Sequence, residues 1–404
     1  MLISSRMVVR GKRSCFVLAR RQKLCSLGRI LTLWVLWLTL APWSPSASAT
    51  DVWTGVQRIV AIGDVHGDYQ QFVTLLREAQ LIDPRNRWTG GTAHLVQTGD
   101  ILDRGPDSRK VLDLLMSLET QARQAGGQVH ALIGNHEAMN VYGDLRYVSA
   151  QEYEAFRDRN SQKVRASFYE QYVETQKRTL PPEQLPEFDE AHRGVWESRY
   201  PLGFFEHRIG FSSRGDYGKW IRGHNAIIKI NDTLFLHGGI SPKYAADSIA
   251  AINQKLRAEL EDFTKLAGGV AADEEGPLWY RGLASGEEAS LTAHVEQILE
   301  QYGARRIVIG HTVTAGAVIP RFQGKVLLID VGLSAVYGAR RACLVLEGGK
   351  AYALHRGKKL SLPMDSGPAL REYLEQAAGL DPSPSLLQRS IQQTEDRTVI
   401  PTLP

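Results

Sequence analysis

Six side chains suited to metal binding recur in this chain at one kind of position. Asp64, His66, Asp100, Asn135, His237 and His311 stand at or just beyond the ends of short apolar runs. The strings are Gly63-Asp64-Val65-His66-Gly67, Gly99-Asp100-Ile101-Leu102-Asp103-Arg104-Gly105, Gly134-Asn135-His136-Glu137, His237-Gly238-Gly239 and Gly310-His311. Carboxylate, imidazole and amide oxygen without thiolate make a donor set for hard to borderline divalent cations. A carboxylate can bridge two cations through its two oxygens, and Asp100 is the candidate bridge. Asp64 and His66, two apart in one loop, close on one ion, while Asn135, His237 and His311 hold the second. Paired cations about 3.5–4 Å apart clamp the attacking and leaving oxygens of a phosphate ester. They also lower the pKa of a shared water. The chemistry expected is phosphoester hydrolysis by attack of a metal-bridging hydroxide, with no covalent enzyme intermediate.

The neighbours fill the remaining roles. Arg104 can fork onto two phosphate oxygens, and Arg281, in Trp279-Tyr280-Arg281, is a second phosphate clamp. His136 sits beside a ligand and is placed to protonate the leaving oxygen. Asp103 can hold that imidazole in orientation. Glu137 is read as fixing its loop. A single Gly-Asp or Gly-His is uninformative, but this ordered series is specific.

The elements that must position these groups are legible around them. The runs 59–62, 94–96, 129–133, 233–236 and 307–309 are β-branched or aliphatic and read as buried strands. Phe72, Leu75, Leu76 and Ala79 follow the first motif at helical spacing. Pro106-Asp107 opens a second helix with Val111, Leu112, Leu115 and Leu118 on one face, and Gly126-Gly127 ends it. Strand, motif and helix repeat as a βαβαβ unit, an α/β arrangement whose motifs open onto one sheet edge. The runs 326–329 and 342–346 read as antiparallel strands closing a second sheet.

Between the third motif and His237, the stretch at about 141–222 changes character. Ser149-Ala150-Gln151-Glu152 has capping-box spacing and starts a helix running to about Arg178. Aromatic residues from Trp196 to Trp220 follow among Arg and Gly. This stretch is read as a helical cap over the metal centre, inserted in a catalytic domain spanning 50–360. Residues 361–404 are read as a frayed tail with one short helix.

The 404 residues carry a formal charge of +4, but residues 1–49 hold eight basic side chains and no acid. The remainder has 40 basic against 44 acidic residues, a net of −4 that predicts no nucleic-acid partner. A basic stretch, the apolar run 30–40 and Ala47-Ser48-Ala49 have the layout of a secretory signal at 1–49. Export to a bacterial periplasm is expected, with no membrane span after cleavage. Cys343 would then be the lone thiol, a buried apolar residue with no disulfide.

The motif series resembles that of the phosphoprotein phosphatases, within the calcineurin-like metallophosphoesterase superfamily. Gly276-Pro277-Leu278-Trp279-Tyr280-Arg281 and Ile329-Asp330-Val331-Gly332 with Tyr337-Gly338 are similar to the bacterial-type Shewanella-like branch. The resemblance spans roughly residues 56–346. It implies a β-sandwich of two mixed sheets flanked by helices, holding two divalent metal ions, manganese foremost with iron or zinc as alternatives. It implies metal ligands at Asp64, His66, Asp100, Asn135, His237 and His311, phosphate contacts at Arg104, Asn135 and Arg281, and an acid pair at Asp103 and His136. Ile133 stands where the eukaryotic phosphatases carry an arginine, and the long insert is not theirs. The expected substrate is a phosphoprotein or phosphopeptide. Alternatives are a nucleotide polyphosphate of the diadenosine tetraphosphate type, with a base stacked on the aromatic insert, and a catalytically silent phosphate-binding module.

Overall fold

The apolar runs become strands because β-branched and aliphatic side chains pack well on a pleated, two-sided surface. The computed structural model describes residues 50–365 and 367–393; the expected leader at 1–49 lies outside them. In chain order the strands are β1 (Val52–Trp53), β2 (Arg58–Ile62), β3 (His94–Gln97), β4 (Gln128–Ala131), β5 (Ile227–Ile230) and β6 (Thr233–Leu236). There follow β7 (Arg306–Ile309), β8 (Ile319–Arg321), β9 (Val326–Leu328), β10 (Ala342–Glu347), β11 (Lys350–His355) and β12 (Lys358–Ser361). Among the described residues they form two six-stranded sheets, ordered β12-β11-β10-β2-β3-β4 and β1-β5-β6-β7-β9-β8.

Both sheets are mixed. In the first, β2, β3 and β4 run parallel while β10 lies antiparallel to β2. In the second, β6, β7 and β9 run parallel, β5 is antiparallel to β6 but parallel to β1, and β8 is antiparallel to β9. Helices α1 (Tyr69–Glu78) and α2 (Ser108–Gln124) make the crossovers of the expected βαβαβ unit. Asp68 caps α1 by accepting from the Gln71 N–H at 3.1 Å, and Phe72, Leu75 and Leu76 are buried beneath it. From α2, Val111, Leu112, Leu115 and Leu118 enter the same core. Truncating any of these leucines to Ala is expected to cost about 2–5 kcal/mol.

Three expectations are corrected. The runs 326–329 and 342–346 do not share a sheet: β9 is parallel to β7, whereas β10 pairs with β2 and β11 in the other layer. The apolar pattern marked both as strands, but not that the chain crosses layers between them. The single helix expected over 150–178 is two, α4 (Ala150–Phe156) and α5 (Ser161–Thr179), because Asp158 N–H bonds to Ser161 Oγ in the break. The frayed tail instead carries helices Pro368–Ala378 and Leu386–Gln393. The first buries Leu370, Tyr373, Leu374 and Ala377, an i, i+3, i+4, i+7 stripe that sequence reading passed over. Tyr373 hydroxyl donates to Val318 O at 3.0 Å, tying the helix to the sandwich.

The insert continues through α6 (Glu190–Arg199), α7 (Phe204–Gly210) and α8 (Asp216–Arg222). No described helix is long and apolar enough to cross a membrane.

Candidate metal centre

Parallel strands point their carboxyl ends the same way, so the two sheets deliver their loops to one place. Helix α3 (Asn135–Tyr142) starts directly at the third of these loops. His237 Nε2 lies 2.9 Å from Asn135 Oδ1 and 3.3 Å from Asp100 Oδ1. His66 Nε2 lies 3.9 Å from Asp64 Oδ2 and 3.8 Å from Asp100 Oδ2. The His311 N–H donates to Asp64 Oδ1 at 3.0 Å across the two sheets. All six candidate ligands are buried.

Backbone strain accompanies the convergence. His66, Asp100, Asp103, Arg104 and His311 have φ of 45°, 58°, 69°, 69° and 63°, a region non-glycine residues avoid. Glu137 holds one stretch of this backbone, its carboxylate accepting from Asp100, Ile101 and Gly134 N–H groups at 2.7, 2.8 and 2.8 Å. That is the loop-fixing role read from sequence. The glycine before His311 has a steric cause, since a Cβ on Gly310 would sit 2.5 Å from Asp64 Oδ1.

The donor chemistry fits divalent cations. His66 gives its Nδ1–H to Leu102 O at 2.9 Å, His237 its Nδ1–H to Thr98 O at 3.0 Å, and His311 its Nε2–H to Trp279 O at 3.2 Å. A backbone carbonyl that takes one ring proton leaves the other nitrogen as a lone-pair donor, the tautomer metal ligation needs. Burial, then the charge of His136, pushes His66 down to about 3 and so keeps it neutral. Donor atoms of His66, Asp100 and His136, and of Asp100, His237 and His311, fall within 4.8 Å of one another, with Asp100 in both groups. Burial and the charges of Asp330 and Asp100 push Asp64 well above the usual carboxylate range. Burial alone would raise Asp100 too, but His237 and His136 outweigh it and hold it ionised. Buried carboxylates crowded in this way favour a cation among them.

Beside this cluster, His136 Nδ1 donates to Asp103 Oδ2 at 2.5 Å, while Asn140 Nδ2 donates to Asp103 Oδ1 at 2.9 Å. Burial disfavours the imidazolium, but Asp100 and Asp103 overcome it and His136 is raised. Arg104 lies between two aromatic rings, its Cζ 4.7 Å from Tyr147 and 5.4 Å from Tyr337, with a buried Nε that no group satisfies. Arg281 Nη1 donates to His311 O at 2.7 Å and Thr312 Oγ1 at 3.0 Å, which fixes its direction. A cavity of about 590 Å³ is lined by Asp64, His66, Asp100, Arg104, Asn135, His136, Arg281 and His311. His237 lies behind it, fully buried. The ten residues singled out in the sequence thus come to one place.

Asp330 and Tyr337, quoted from the sequence only for the family resemblance, and Tyr147, not singled out, also line the cavity. Asp330 carried the signal used for the others: it follows the apolar β9 at the same sheet edge. One of its oxygens is buried and unpartnered, and burial raises its carboxyl to about 6. Tyr147 carried no such signal, since aromatic residues in loops are mostly packing.

The stretch 141–222 is expected as a cap over the centre. Of residues 141–222, Tyr147 alone lines the cavity. The insert aromatics satisfy one another, as in Phe168 stacked on Phe205 at 4.0 Å and Tyr169 against Trp196 at 5.1 Å. Helix α8 seals onto α2, with Tyr217 donating to Asp113 at 2.7 Å and Trp220 to Glu119 at 3.0 Å. The insert flanks the site. Arg222 is buried and donates to Leu260, Phe211 and Gly218 carbonyls.

Known proteins agree with this architecture. The calcineurin-like phosphoesterase family model matches residues 57–315. An uncharacterized protein of Schizosaccharomyces pombe is 32% identical over 75% of this chain and 82% of its own length. Shewanella-like protein phosphatase 2 of Arabidopsis thaliana is 29% identical over 69% of this chain and 72% of its own. The solved cold-active protein-tyrosine phosphatase of a psychrophilic Shewanella superposes with a TM-score of 0.58 at 30% identity, covering 78% of this chain and 82% of that one. Calcineurin-like phosphoesterases bind divalent metals, and this chain belongs to that family as a metal-dependent phosphatase.

Proposed function

We propose that this phosphatase hydrolyses phosphate monoesters carried on protein or peptide. The observation that carries the proposal is the Asp103–His136 pair and the Arg104 guanidinium facing one cavity beside the paired donor groups. The names of the Arabidopsis and Shewanella relatives support a phosphoprotein substrate.

Asp64, His66 and Asp100 would hold one divalent ion, and Asp100, Asn135, His237 and His311 a second, manganese being the first choice and iron or zinc the alternatives. Bound there, such ions supply Lewis acidity toward the phosphoryl oxygens and activate a water for attack. Arg104, with its guanidinium near the Tyr147 and Tyr337 rings, binds phosphoryl oxygens, and Arg281, also lining the cavity, is a second phosphate contact. Asp103 accepts the Nδ1–H hydrogen bond of His136, so Nε2 is the atom that hands a proton to the departing oxygen. Tyr147 and Tyr337 line the cavity beside these groups and limit its solvent.

Residues 1–49 support export to the periplasm. Stacking of a nucleotide base on the insert finds no support, because the insert aromatics pair with one another. Comparing kcat/KM on phosphotyrosine peptide, phosphoserine peptide and a dinucleoside polyphosphate tests the reading. A rate on the dinucleotide at least tenfold above both peptides would overturn it.

A further inference from the structure

The insert reaches the proton-donating pair through one buried carboxylate. Glu152, on the first turn of α4, completes a capping box: Ser149 Oγ accepts from Glu152 N–H at 3.2 Å, and Glu152 Oε2 accepts from Ser149 N–H at 2.9 Å. Capping explains one oxygen only. Glu152 Oε1 leaves the insert, accepts from the Asp103 N–H at 3.1 Å and is also hydrogen-bonded by Ser108 Oγ. Asp103 is one of the residues with φ of 69°, and its N–H also approaches Ser108 Oγ at 3.2 Å. Glu137 grips the backbone at Asp100 and Ile101; Glu152 grips the next stretch, where the Asp103 side chain departs toward His136. A second arm enters from α7, where Arg208 donates to Asn140 O at 2.5 Å, and Asn140 in turn bonds Asp103 Oδ1. Glu152 is 3 % exposed and lines no part of the cavity, so it touches no substrate.

We infer that Glu152 is a positioning residue, by which the seating of the insert sets the orientation of Asp103 and hence proton delivery by His136. The inference rests on the reading of Asp103–His136 as the acid pair. Proton donation matters most when the leaving oxygen is basic. An alkyl phosphate such as phosphoserine needs it, whereas p-nitrophenyl phosphate, whose leaving group departs as a stable anion, hardly does. A fault in orientation therefore appears as a change in leaving-group dependence, while a fault in folding or metal loading slows both esters alike.

The test compares Glu152→Gln, Ser108→Ala and Asp103→Asn with wild type on phosphoserine peptide and p-nitrophenyl phosphate, using the full chain reconstituted with manganese. Asp103→Asn should lower kcat on the peptide by about 10²-fold and on the aryl ester by far less. Glu152→Gln should lower peptide kcat by about tenfold, with KM within about twofold, the aryl ester within about threefold, and metal content unchanged. Ser108→Ala should move in the same direction by a smaller factor and serves should the Gln variant fail to fold. Equal losses on the two esters, or none, in both Glu152→Gln and Ser108→Ala overturn the positioning role. If Asp103→Asn itself treats the two esters alike, the acid-pair reading falls instead, so the two failures are separable.

Discussion

The strand-end loops and the helical insert solve the same problem, holding polar and aromatic side chains in place, by opposite means. The loops use backbone: left-handed residues at His66, Asp100, Asp103, Arg104 and His311, where buried carboxylates accept the Asp100, Asp103 and His311 N–H groups and backbone carbonyls accept those of His66 and Arg104. The insert uses ring against ring, with Phe168, Phe205, Tyr169 and Trp196 packed in pairs. Chemistry sits where the backbone is strained, and bulk sits where it is relaxed. Such strain persists only when its surroundings over-determine it.

The comparison can be broken or sharpened at four places. At the loops, Asp100→Asn should lower kcat by about 10³-fold or more while circular dichroism stays native, because the shared donor of both groups is lost. Arg104→Ala should cost about 10²–10³-fold in kcat/KM, the scale of removing one preorganised charge donor; a loss below threefold would deny Arg104 its phosphate role. In the insert, Trp196→Ala should lower unfolding free energy by about 3 kcal/mol in urea melts, yet leave kcat of the folded protein within about twofold. A large kcat loss there would blur the division between the regions.

The smallest effect concerns pH. Burial, then the charge of Arg208, lowers His207 to about 3 inside the insert. A histidine whose folded pKa lies below its unfolded value favours folding fully above about 6.5, and this contribution fades as pH falls toward 3. The slope is about 1.4 kcal/mol per pH unit for one proton. Denaturation of His207→Phe should lack that slope between pH 6 and pH 4; an unchanged slope would place the acid sensitivity elsewhere.

The loops were more legible than the insert for a physical reason. A strand end followed by glycine and a ligating side chain advertises both its element and its chemistry, so Asp64, Asp100 and His311 could be named from the sequence. Asp330 shares that signature but was read only within a closing strand that resembles the family's, with no site role. Glu152 was visible as a cap, but that its second oxygen faces Asp103 depends on how α4 meets α2, which no local spacing encodes. The layer change between β9 and β10 and the flanking position of the insert are likewise tertiary outcomes, decided by which surfaces find partners.

The central claim is that Asp100 would be shared by two cations held by side chains from both sheets. Anomalous scattering from manganese-soaked crystals tests it most directly. The account predicts two peaks about 3.5–4 Å apart on either side of Asp100, one beside Asp64 and His66, the other beside Asn135, His237 and His311. A single peak remote from Asp100, or none in catalytically active crystals, would contradict it.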